Sequence, residues 1–123
     1  MTEELLNRPA VKRVTECLVA AGSAAKVIVL SDTARTAQDA ASSLNCELGA
    51  IVKSLVFAIG GQPVMALVAG DRQCDTKALP AALGMIGKVK RADADVVREV
   101  TGFSIGGVAP VGHLNDIPLV IEQ

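Results

Sequence analysis

A chain of 123 residues is one domain's worth of sequence, and with 50% hydrophobic and 20% charged residues it can bury enough surface to fold without disulfides. A formal net charge of −1 gives no global positive field for coating nucleic acid, although contact with a nucleic-acid end stays compatible with it. Two Phe, with no Tyr or Trp, leave no stacking platform for successive bases, and no stretch approaches the roughly 18 consecutive apolar residues of a membrane span.

Glu3, Glu4 and Arg8 precede any apolar run, which is unlike a secretory leader. Cys17, Cys46 and Cys74 are odd in number and form no CxxC, so they read as thiols of a reducing cytoplasm. Pro9 suits the first turn of a helix, and Val11, Val14, Leu18 and Val19 recur at helical spacing up to Gly22. Lys26 to Leu30 (KVIVL) is short and β-branched and predicts a strand. Thr36, with Asp39 three residues on, opens a short Ala-rich helix that ends near Asn45. After Gly49 comes the strongest β signal, IVKSLVFAI, then a tight Gly60-Gly61 turn and a returning strand from Pro63 to Ala69.

Asp75 can cap a helix around Lys77 to Leu83, after which Gly84 and Gly87 break the chain before a strand at Lys88 to Arg91. Asp93 can cap the next helix, which buries Val96, Val97 and Val100 and stops at Gly102. Residues 103 to 116 form a Gly/Pro-rich loop, and Pro118 to Glu122 reads as a last strand. Interleaved strands and helices around an antiparallel hairpin make a mixed α/β single domain over residues 1–123.

Lys53 is the first candidate for chemistry. Ile51, Lys53, Leu55, Phe57 and Ile59 share one strand face, while Val52, Val56 and Ala58 make the other nearly as apolar. Such a strand is central, and an ammonium within it is poorly solvated unless it snorkels from the strand end. The second candidate is the loop GFSIGGVAPVGH, Gly102 to His113. Gly106 and Gly107 permit close approach to a ligand or positive φ, and consecutive loop N–H groups can hold an oxyanion. The alternative is an ordinary surface connection. His113, the only histidine, cannot make a metal site by itself, and its alternatives are a pocket-lining, catalytic or backbone-bonding role. No metal-ligand cluster and no cofactor signature appears.

TAQDAASSLNCELGAIVKSLVF, PVMALVAGDRQCDTKAL and KVKRADADVVREVTGFSIGGVAPVGH together resemble the YbaK/prolyl-tRNA-synthetase-associated domain family, from about Thr36 to Ile121. The resemblance implies a mixed, largely antiparallel, barrel-like sheet surrounded by short helices. It implies trans-editing, in which the ester linking a wrong amino acid to the 3′ end of a tRNA is hydrolysed. It places the family's invariant lysine on Lys53 and its G-x-x-x-P loop on Gly106, Gly107, Val108, Ala109 and Pro110. His113 falls where several members carry a histidine, and Ala109 and Ser54 fall where subgroups differ. It also implies a C-terminal strand and helix beyond the point where this sequence stops, at Gln123.

By that resemblance, loop N–H groups at 106 to 108 grip the ester carbonyl, Lys53 anchors the terminal ribose or phosphate, and water attacks with help from a ribose hydroxyl. A neutral Lys53 acting as general base is the second option. The expected partners are the acceptor end of a misacylated tRNA and an aminoacyl-tRNA synthetase, in the cytoplasm, with no membrane and with a homodimer as a further option. Lys88, Lys90 and Arg91, or Arg8, Lys12 and Arg13, are cations for phosphates or simply solvated faces. Two other functions compete: a non-catalytic aminoacyl-binding module, and a structural domain that dimerises through an edge strand.

Overall fold

The long apolar run folds as a hairpin, β1 (Val52–Ile59) and β2 (Gln62–Ala69), in antiparallel register from Val52↔Ala69 to Ile59↔Gln62. Its turn needs two residues at positive φ to match the strand twist, and Gly60 and Gly61 supply φ of 57° and 87°. The computed structural model describes residues 6–28, 30, 36–105 and 107–121. The expectations placed on Val29, Gly106 and Glu122 lie outside the described residues.

β3 (Val89–Arg91) pairs antiparallel with β1, from Phe57↔Arg91 to Ile59↔Val89. β4 (Leu119–Ile121) pairs parallel with β2, from Met65↔Leu119 to Leu67↔Ile121. The order β3-β1-β2-β4 makes a mixed four-stranded sheet. Among the described residues it is open, with β3 and β4 at its edges, so the barrel-like closure implied by the resemblance is not seen. β1 is central, as its two-sided apolar pattern implied.

Among the described residues, the sheet is accompanied by α1 (Pro9–Ala20), α2 (Ala37–Leu44), α3 (Leu79–Leu83) and α4 (Ala94–Thr101). Because alternate residues of a strand face opposite ways, the hairpin feeds two cores. Phe57, Ile59, Val64, Ala66 and Val68 pack with Leu79 of α3 on one face. Val56, Met65, Ala92 and Val97 of α4 pack on the other. No helix among the described residues is long and apolar enough to cross a membrane.

The helix starts follow from their caps. Thr36 accepts a hydrogen bond from the Asp39 N–H at 3.1 Å, and Asp93 accepts one from Val96 N–H at 2.9 Å. α4 ends at Gly102, whose φ is 80°. Asp93→Ala is therefore expected to lower stability by about 1 kcal/mol. The check is a urea denaturation curve with a lower midpoint and an unchanged slope.

Two expectations are corrected. The described residues of Lys26–Leu30 lie in no strand, and Ile28 is 72% exposed. A β-branched run becomes a strand only where a neighbour offers a free ladder, and this one finds none among the described residues. Asp75 accepts from the Lys77 N–H at 3.2 Å and so organises the turn ahead of α3, while the helix itself begins only at Leu79.

Candidate active site

Pleat alternation puts Lys53 on the face of Leu55 and Phe57, opposite Val68 of β2. The residue is half-buried, and its Nζ donates to the main-chain carbonyl of Arg72 at 2.5 Å. Arg72 closes a turn at the end of β2: its N–H donates to Ala69 O at 3.0 Å, and Gly70 N–H donates to Ile51 O at 2.7 Å. A Cβ on Gly70 would stand 2.5 Å from the Leu48 carbonyl oxygen. Glycine therefore lets this turn lie against the 3-10 turn Leu48–Ala50 and present its carbonyl to the lysine. The lysine head is tied to backbone at a solvent-exposed contact.

β3 begins to pair with β1 only at Phe57, and Ala92 N–H extends the contact to Val56 O at 3.2 Å. Among the described residues, the same edge of Val52–Leu55 has no strand neighbour. A cleft of about 320 Å³ opens there. Lys53, Ser54, Leu55 and Val56 of β1 line it, with Arg91 and Ala92, Thr36, Ala37 and Ala40 of α2's start, and Ile105, Gly107 and Val108 of the loop. Residues of both strand parities border it because it lies at an edge rather than over one face. Its walls are mainly aliphatic, with two cations and two hydroxyls among them. Such a cleft suits a small apolar group joined to something polar or anionic. Among the described residues, no three His, Cys, Asp or Glu side chains group as a metal site would require.

The structure thus brings Lys53, Ser54, Gly107 and Val108 to one cleft, whereas Ala109, Pro110 and His113 do not line it and Gly106 lies outside the described residues. Two expectations for the loop change. Gly107 is not at positive φ, and a Cβ there would meet only Ser104 O, at 3.6 Å. Its N–H also donates to Ser104 O at 2.9 Å, so it is not a free oxyanion donor. The neighbouring Val108 N–H finds no acceptor among the described residues.

His113 is half-buried, with Nε2 2.7 Å from the Ala109 carbonyl oxygen. A carbonyl only accepts, so Nε2 carries the proton in this contact. The ring meets Phe103 edge-on at 6.0 Å between centroids. It borders a different cavity, of about 550 Å³, shared with Arg13, Cys17 and Ile117. The imidazole therefore braces the loop from behind and does not line the Lys53 cleft. Sequence reasoning missed the Arg72 carbonyl and the α2 wall. A main-chain carbonyl has no residue-type signature, and Ala37 and Ala40 look like ordinary helix formers.

The sequence profile of the aminoacyl-tRNA editing domain family matches residues 31–123. The proline–tRNA ligase of Thermosipho africanus (strain TCF52B) is 40% identical over 84 residues, which are 68% of this chain and 15% of the ligase. That of Maridesulfovibrio salexigens is 35% identical over 77 residues, 63% of this chain and 13% of the ligase. The chain thus spans only a small part of the ligases it matches. A crystal structure of a candidate trans-editing enzyme for prolyl tRNA synthetase has a TM-score of 0.83 and 38% identity, covering 93% of this chain and 72% of that one.

Proposed function

This chain belongs to the aminoacyl-tRNA editing domain family, and on that premise we propose that it is a trans-editing deacylase, hydrolysing the ester between a wrong amino acid and the 3′ end of a tRNA. The observation that carries this is the shared cleft, where a central-strand lysine and the backbone of Gly107 and Val108 border one aliphatic space. The hydrogen bond that holds the head of half-buried Lys53 also supports it over a structural dimerisation domain, which would give that ammonium no partner.

The aliphatic walls take the amino-acid side chain. Val108 N–H donates to the ester carbonyl oxygen as charge develops on it. Lys53, with Arg91 nearby on the cleft wall, holds the terminal ribose and its phosphate. Water attacks the carbonyl carbon with help from the adjacent ribose hydroxyl, and the ester oxygen leaves with a proton as the second ribose hydroxyl. The products are the free amino acid and uncharged tRNA. Selection by size has a chemical rationale, because one methylene is worth only about 1–3 kcal/mol to a synthetase pocket and a second hydrolytic sieve multiplies the discrimination. The protein would act in the cytoplasm beside an aminoacyl-tRNA synthetase.

The test is a deacylation panel with alanine, cysteine, serine and threonine, each carried on its own tRNA and on the proline tRNA. At least one mischarged tRNA is expected to lose its amino acid well above the rate in buffer, with prolyl-tRNA spared. Binding without acceleration for every member would replace the enzyme with a non-catalytic aminoacyl-binding module.

A further inference from the structure

We propose that Arg13 is a positioning residue, a guanidinium clasp on α1 that closes the loop between Gly102 and Gly112 and so fixes the backbone bordering the Lys53 cleft. Its catalytic consequence rests on the deacylase function proposed above, whereas the clasp itself rests on geometry alone.

Arg13 Nη2 donates to Gly102 O at 3.0 Å and its Nε to Gly112 O at 3.2 Å. One planar side chain thus reaches both ends of the loop, 89 and 99 positions along the chain. A guanidinium offers several donors in one rigid plane, and a lysine does not. The plane also lies over Phe103, 5.3 Å from the ring centroid, and Phe103 in turn meets His113. The loop base is shaped for this helix: a Cβ on Gly112 would stand 3.0 Å from Val14 N, and one on Gly102 would collide with the Arg13 guanidinium. Both glycines have positive φ, 80° and 79°, so their carbonyls are turned by backbone conformations that other residues rarely adopt. Leu114 N–H and Asn115 N–H donate back to Thr101 and Val100, which makes the segment an Ω-like loop with adjacent ends.

α1 contributes no fully buried residue, only half-buried ones such as Val11, Val14 and Leu18, so the hydrogen bonds of Arg13 add to a shallow packing contact. Arg13 is half-buried while its neighbours Arg8 and Lys12 are exposed. By sequence alone the three are equivalent, as cations for phosphates or as a solvated face. The geometry separates them and turns Arg13 inward on carbonyls. Gly107 and Val108 lie at the far side of the clasped loop, where the cleft needs them. Misplacement of such a group by about 1 Å can cost on the order of a hundredfold in rate.

Arg13→Ala is expected to reduce kcat for deacylation by about 10- to 100-fold, with KM changed less than about threefold, because the loop is loosened and tRNA contacts are kept. Arg13→Lys is expected to recover only part of that loss, and millimolar guanidinium to recover part of it in Arg13→Ala. Amide exchange at Gly107, Leu114 and Asn115, whose N–H groups are hydrogen-bonded within this segment, should accelerate in Arg13→Ala while β1 and β2 keep their protection. This readout needs no activity, so the clasp and the deacylase assignment can fail separately. Loop exchange identical to wild type in the folded variant overturns the clasp. So does a loss confined to KM that vanishes at high salt, which marks a phosphate contact instead. Should the variants not fold, NMR of the wild-type protein decides. The Arg13 Nε–H should exchange with water more slowly than that of Arg8, and equal rates overturn the proposal.

Discussion

Lys53→Ala is expected to abolish deacylation while the protein stays folded. The residue is half-buried in the central strand, its head is held by the Arg72 carbonyl, and it borders the cleft assigned to the aminoacyl end. No other cation from β1 stands in the cleft to replace it. Loss of a ground-state and transition-state anchor of this kind removes orientation as well as charge. Stability should move by less than about 1 kcal/mol, because the one hydrogen bond that is lost is solvent-exposed and water replaces it. Single-turnover deacylation and a thermal melt on the same preparation check both halves. Turnover at the wild-type rate in a folded Lys53→Ala protein would rule the cleft out as the active site.

The second large effect is expected at the loop backbone. Val108→Pro deletes an N–H on the cleft wall of the loop that has no acceptor among the described residues, and leaves a side chain of similar size. Removing an oxyanion donor typically costs about 2.7–4 kcal/mol of transition-state stabilisation, or two to three orders of magnitude in rate. Val108→Ala, which keeps the N–H, should lose much less, since it only widens an aliphatic wall. Gly107→Ala should also be mild, because the added methyl meets only Ser104 O at 3.6 Å. If the proline variant turns over normally, the loop backbone does not stabilise the developing oxyanion. If His113→Ala is instead the damaging change, the imidazole takes part in the chemistry rather than bracing Ala109.

Features legible in the residues were those whose physics is local. Thr36 and Asp93 cap helices with their own side chains, within three residues of themselves. Gly60-Gly61 turns a hairpin through its own φ values, and the two-sided greasiness of Val52–Ile59 implied a central strand. Lys53 stood out for the same reason, as a charge within an apolar period-two pattern. KVIVL misled because strand formation is half a property of the partner, and no described neighbour offers Lys26–Leu30 a ladder.

What the residues could not announce depends on where distant backbone arrives. The carbonyl of Arg72 reaches Lys53 because Gly70 lets its turn lie against Leu48. His113 was separated from the cleft by its bond to Ala109, and Gly107 was taken out of the donor set by Ser104 O. Arg13, one of three similar cations in the sequence, became a clasp because Gly102 and Gly112 converge on it from about 90 to 100 positions away. Element type, cap and turn are set by side chains acting over a few residues, so the amino-acid order alone specified them. Which face a group serves, and which main-chain atom it meets, is set by long-range packing, and only the folded chain could decide it.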